Sequence, residues 1–171
     1  MYQGLRRDAM VVLLMLAALP CGLARAGVST DPQAFVLAAT EAGLMEVESA
    51  RVAMNASTRS GVKEFADRMI ADHEKIDAEL AVLAKKKSIT VPTQLDAERT
   101  RQLQSLREKS IAEFDAAYAA QVAEQHAHAL ELFRANVANP DAELAAYAAR
   151  TLPLLQEHKR LADGLKGSVG K

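Results

Sequence analysis

Five residues able to bind a metal or carry a proton fall on the apolar faces of helical segments: Glu46, His73, Asp115, His126 and His158. His73 shows the pattern most plainly. In "RMIADHEKIDAELAVLA" it stands in the row Met69, Ile76, Leu80, Leu83, where a helix turns its side chains inward. Carboxylates and imidazoles converging from several helices can hold a divalent ion such as iron, manganese, zinc or copper. Glu46, His73, His126 and His158 would be the ligands, with Asp115 as a ligand or as a support behind one. The same residues could instead form a buried polar network, a carboxylate satisfying a histidine and Tyr118 serving a neighbouring imidazole. The spacing argues against a standard di-iron centre, which uses two Glu-x-x-His pairs: Ile70, Ala123 and Leu155 stand three residues before the histidines. His128 points to the flank of its helix and reads as exposed.

These side chains must be positioned by helices. The chain after residue 26 is rich in Ala, Leu, Glu, Lys and Gln, and no stretch alternates with the period of a strand. The first helix starts at Asp31 and Pro32 and runs to Ser57, with Phe35, Ala39, Ala42, Glu46, Ser49, Ala53 and Ala56 inward. After the turn "STRSG" a second runs from Val62 to Lys87. "TQLDAERTRQLQSLREK" holds a short, weakly apolar helix, Leu95 to Arg107, a strap or a partner-binding surface. "SIAE" reads as a capping box for a third long helix to Ala138, with Ile111, Phe114, Tyr118, Val122, Ala129 and Phe133 inward. Asn139 and Pro140 cap the fourth, to Leu165, and the tail "KGSVGK" reads as loose. Inside this last helix Pro153 removes the bond to the Ala149 carbonyl and predicts a local kink.

Two tight turns make two antiparallel pairs. The long crossover between them, residues 88–109, predicts an all-α, ferritin-like four-helix bundle, up-down-down-up, with the short helix in the crossover. Residues equidistant from a turn share a level, so Glu46 and His73 are expected to face each other across the first pair. His126 and His158 are expected to be offset by about five residues, roughly 7 Å. Asp115 and His126, eleven residues apart, share one azimuth about 16 Å apart.

The first 26 residues read as a signal peptide: Arg6 and Arg7, the apolar run Ala9–Leu19, then Ala24-Arg25-Ala26. That run is too short for a bilayer, which needs about 20 residues. A lipidated Cys21 is a rival reading, with Pro20 a poor neighbour for it. Cleavage leaves residues 27–171 as one domain, periplasmic or secreted, with no membrane-spanning segment. It removes Arg6, Arg7, Arg25 and Asp8 from 21 basic and 22 acidic residues, leaving 18 and 21, a net charge of −3. That balance argues against a nucleic-acid partner. The only cysteine, Cys21, goes with the leader, which excludes disulfides and thiolate ligands from the domain.

Several stretches then carry a family resemblance: "EAGLMEVESARVA", "VKEFADRMIADHEKIDAEL", "FDAAYAAQVAEQHAHALELF" and "LAAYAARTLPLLQEHKRLA". Together they are similar to a large family of exported bacterial proteins with a ferritin-like fold, filed as a domain of unknown function and often labelled periplasmic or outer-membrane proteins. The resemblance spans residues 32–165. It implies the bundle and the exported location, and no activity, substrate or cofactor. No Gly-rich phosphate loop, His-Glu-x-x-His or nucleophile elbow is present to give a reaction. Two functions follow: a non-catalytic envelope protein with a buried Glu/His/Asp network, acting through an envelope partner, or a metal-binding bundle that stores, buffers or senses a divalent ion.

Overall fold

The computed structural model describes residues 28–169. The expected leader, its boundary near residue 26 and Cys21 lie outside the described residues. Within them the chain is all-helical, without strands: α1 (Pro32–Ala56), α2 (Ser60–Lys86), α3 (Ala97–Arg107), α4 (Ile111–Asn136) and α5 (Ala142–Val169). Local chemistry sets the ends. Asp31 accepts the Ala34 N–H at 2.8 Å with Pro32 following it, so α1 begins where the sequence places it. Asp96 does the same for α3, taking the Arg99 N–H at 2.7 Å. Helix α2 closes on Ser88, whose φ of 57° turns the chain left-handed while the Ile89 N–H reaches the Ala84 carbonyl at 2.9 Å.

Three expectations about ends are corrected. The cap of α5 is Asp141, whose Oδ1 accepts from Glu143 and Leu144, and not Asn139–Pro140. Asn139 instead receives the Asp141 N–H. The tail is helical to Val169, because Leu165 and Val169 pack on the core and Arg59 reaches the Ser168 carbonyl. Ile111, expected inward, is the first residue of α4 and 75% exposed. At "SIAE", Ser110 Oγ donates to Glu113 Oε2 at 2.7 Å and makes no bond to the backbone.

Contacts between helix ends fix directions. Asn136 and Asn139, at the close of α4, donate to the Ser29 and Thr30 carbonyls beside the start of α1. Lys87, at the close of α2, meets Asp141 at 2.5 Å and Glu143 at 3.1 Å at the start of α5. At the other end Arg59 pairs with Asp115 at 3.4 Å. Thus α1 runs against α4 and α2 against α5, as each also runs against the helix to which a short turn joins it. Helix α3 lies on α1 and α4, held by Arg99–Glu41 at 3.1 Å and by the buried Leu103 and Leu106. This cover explains why α1 buries Met45 and Val52 beyond the single face the periodicity predicts.

The apolar interior is in two parts. One gathers Met69, Phe114, Tyr118, Val122 and Ala162. The other gathers Phe35, Leu80, Phe133, Tyr147 and Leu155. The buried polar residues Glu46, His73, His126 and His158 belong to neither.

Candidate metal centre

His73 on α2, His126 on α4 and His158 on α5 meet in the interior. Their ring centroids stand 5.7 Å (73–126), 5.4 Å (73–158) and 5.3 Å (126–158) apart. One nitrogen from each lies within 4.8 Å of the others. His73 is 4% exposed and the other two are fully buried. Helical period explains the placement: each histidine continues an apolar row, Met69–His73 on α2, Val122–His126 on α4 and Leu155–His158 on α5. The expected offset of His126 and His158 is corrected. Side chains lean toward the N-terminus of their own helix. His126 therefore leans away from the α4–α5 turn and the more distant His158 leans toward it, so the rings converge.

Carboxylates hold two of the rings from behind. His126 Nδ1 lies 3.2 Å from Glu46 Oε1 and 3.0 Å from the Val122 carbonyl, so that nitrogen carries the proton and donates. His158 Nε2 lies 3.0 Å from Asp72 Oδ2 and donates to it. Asp72 is tied outward to Arg68 at 3.4 Å and Lys75 at 3.9 Å. The other nitrogens, His126 Nε2 and His158 Nδ1, have no partner among the described residues, and neither nitrogen of His73 has one. Glu46, 3% exposed, likewise leaves Oε2 unpaired.

Electrostatics follow from this packing. Burial pushes His73 down to about 4, the neighbouring imidazoles adding to it against the pull of Glu46. Burial also takes His158 down to about 4, although Asp72 pulls the other way. For His126 burial is outweighed by Glu46 and the Val122 carbonyl, and its pKa is raised. Burial raises Asp72, but His158 and Arg68 prevail and hold it below the ordinary carboxylate range. Asp77 is pushed up to about 7 by burial and by the charge of Glu46.

Of the five residues expected at the site, the structure brings His73, His126, His158 and Glu46 together. Glu46 bonds to His126 across α1 and α4 rather than to His73 across the α1–α2 turn. It does share a small cavity with His73. Asp115 is not brought to the cluster. It lies far along α4 and pairs with Arg59. Tyr118 serves no imidazole; its hydroxyl has no partner among the described residues. His128 is exposed, with Glu124 at 3.8 Å. Sequence reasoning missed Asp72 and Asp77 as parts of the site. Asp77 stands four residues after His73, one helical turn on the same face, which is the signal that could have found it.

A family model described as "Domain of unknown function (DUF4142)" matches residues 20–165. The chain belongs to this family. In this DUF4142 domain the histidine cluster and its carboxylates all fall inside the matched span. No curated protein and no solved structure matches the chain. Among the described residues no helix is long and apolar enough to cross a membrane.

Chemically, the donor set is three imidazoles with carboxylates behind them. Zinc sites of this kind use three protein nitrogens at about 2.0–2.1 Å and keep a fourth position for another ligand. With the nitrogens no more than 4.8 Å apart, an ion at the centre of their triangle sits at most about 2.8 Å from each corner. Rotation of the rings inward by some tenths of an ångström would therefore complete the contacts.

Proposed function

We propose that this chain is an exported, ferritin-like four-helix bundle, up-down-down-up, that binds one divalent metal ion through His73, His126 and His158. It stores, buffers or senses the ion and does not turn over a substrate. One observation carries the reading: three buried imidazoles bring one nitrogen each within 4.8 Å of the others and keep nitrogens without a partner among the described residues, while carboxylates hold two of the rings from behind. A metal-bound histidine has this arrangement, its outer N–H given to a carboxylate. A satisfied polar network would pair those nitrogens as well. The end contacts of α1 with α4 and of α2 with α5 support the ferritin-like order, and the crossover carrying α3 fits it. The leader at residues 1–26 supports export. Zinc, copper, iron and manganese all suit imidazole and carboxylate donors, and affinity alone favours copper and zinc.

Purification of the untagged protein from the periplasm without chelators, followed by elemental analysis, tests this. About one equivalent of metal is expected, lost in His73→Ala and His158→Ala. Failure of the wild type to take up zinc, copper, iron or manganese would overturn it. N-terminal sequencing of the same sample tests cleavage near Ala26.

A further inference from the structure

We infer that Asp77 is the second anion of the metal centre, a positioning residue that balances the charge of the ion and steadies His73 through one water. The inference rests on the metal reading above. It begins from an asymmetry: His126 and His158 each give their outer nitrogen to a carboxylate, and His73 has no protein partner on either nitrogen. A ligating histidine needs an acceptor on its far side.

The acceptor is across a cavity of about 10 Å³ lined by Gly43, Glu46, His73, Asp77 and Tyr147. That volume has the room of a single water, and a water there needs two to four polar partners. Glu46, His73 and Asp77 supply three. Glu46 also brings Oε2, deeply buried and unpaired, to the same layer.

The backbone is shaped for this arrangement. A Cβ on Gly43 would stand 2.2 and 2.4 Å from the Asp77 carboxylate oxygens. Asp77 therefore rests against the backbone of α1, where only glycine admits it, one turn before Glu46 on the same face. Helix α2 repeats the spacing, with Asp77 one turn after His73.

Charge decides what the pair of carboxylates is for. Three neutral imidazoles leave a divalent ion with its full charge in a dry interior, which is costly without counter-charges. Asp72 is already balanced by Arg68 and Lys75 at the surface. Glu46 and Asp77 remain, two negative charges for one doubly positive ion. The balance closes for a divalent ion and fails for a cuprous one.

Zinc and, under reducing conditions, cuprous copper are titrated against chromophoric chelators, with wild type, Asp77→Asn and Gly43→Ala compared. Asp77→Asn is expected to lose 10- to 100-fold in zinc affinity, the range for residues behind metal ligands, and less in cuprous affinity. Gly43→Ala, by displacing the carboxylate, loses zinc affinity too. Metal-free Asp77→Asn should melt no lower than wild type, since it relieves the repulsion with Glu46. A purely structural role would instead lower the metal-free melt and leave the zinc-to-copper ratio unchanged. Wild-type zinc binding with unaltered affinity in both variants would overturn the inference alone. Absence of metal from the wild type would remove the centre and the role of Asp77 with it.

Discussion

Acid reads the interior without any metal. His73 titrates near 4 in the folded protein against an ordinary 6.5. Between these values the unfolded chain binds a proton that the folded protein refuses, so the term from His73 weakens the fold as pH falls through this window. The gap of about 2.5 pH units corresponds to about 3 kcal/mol at 1.36 kcal/mol per unit, a sizeable share of the roughly 5–15 kcal/mol that holds a domain folded. His158 acts in the same direction. Two groups oppose them. Asp77, raised from 3.8 to about 7, binds its proton more readily when folded, so its term strengthens the fold as pH falls from 7 toward 3.8. His126, also raised, contributes stability that is present below 6.5 and lost as pH climbs through its folded pKa. The wild-type curve alone therefore mixes opposing terms, and the useful quantity is the difference between wild type and His73→Gln. Urea unfolding with chelator present, from pH 7 to 4.5, should shift that difference by about 2 kcal/mol in favour of the variant as acid is added, the rest following below pH 4.5. A difference independent of pH would mean that His73 is not held neutral by burial, and the account of the buried histidine layer would fail.

Three further outcomes test the frame around the site. Ser88→Gly removes a side chain from a left-handed position at the end of α2, and should raise stability by about 0.5–1 kcal/mol in urea unfolding. Asp141→Ala deletes the cap of α5 and the partner of Lys87, and should cost about 1–2 kcal/mol by the same measurement. Phe35 is fully buried and edge-on to Phe133 at 5.3 Å, so Phe35→Ala should cost about 3–5 kcal/mol, seen as a lower melting temperature.

Much of the fold was legible because its signals are local. Asp31-Pro32 and the apolar rows set α1, and the rows of α2, α4 and α5 named all three interior histidines. The misreadings share a cause in contacts the sequence does not number. The stretch "KGSVGK" suggests a loose tail, but Leu165 and Val169 find the core and the helix continues to Val169. Counting from a turn ranks heights within a pair joined by that turn. It says nothing of α1 against α4, which have no short connection, so the Glu46–His126 bond was out of reach. The same counting ignores the lean of side chains, which separated His126 from His158 on paper. Asp115 shared the azimuth of His126, but azimuth without height does not make a neighbour.

The polar layer between the two apolar clusters is the feature that a purely structural account explains least. Five atoms there, Glu46 Oε2, both nitrogens of His73, His126 Nε2 and His158 Nδ1, are buried without partners among the described residues. Each such group costs about 1–3 kcal/mol, and apolar side chains of the same size would stabilise a helical core at least as well. A network kept for stability would close these bonds within the protein. Here the closed bonds, Glu46 to His126 and Asp72 to His158, take one nitrogen of each ring and leave the other open, and His73 keeps both open. Such a division orients imidazoles for a guest that accepts their lone pairs, and a cation is the guest that also answers the charge of Glu46. Replacing all three histidines together with Glu46 by leucine, so that no buried carboxylate is orphaned, separates the two accounts. A gain in stability of the metal-free protein with loss of metal uptake fits a binding layer, whereas a loss of stability would show that the histidines hold the fold together themselves.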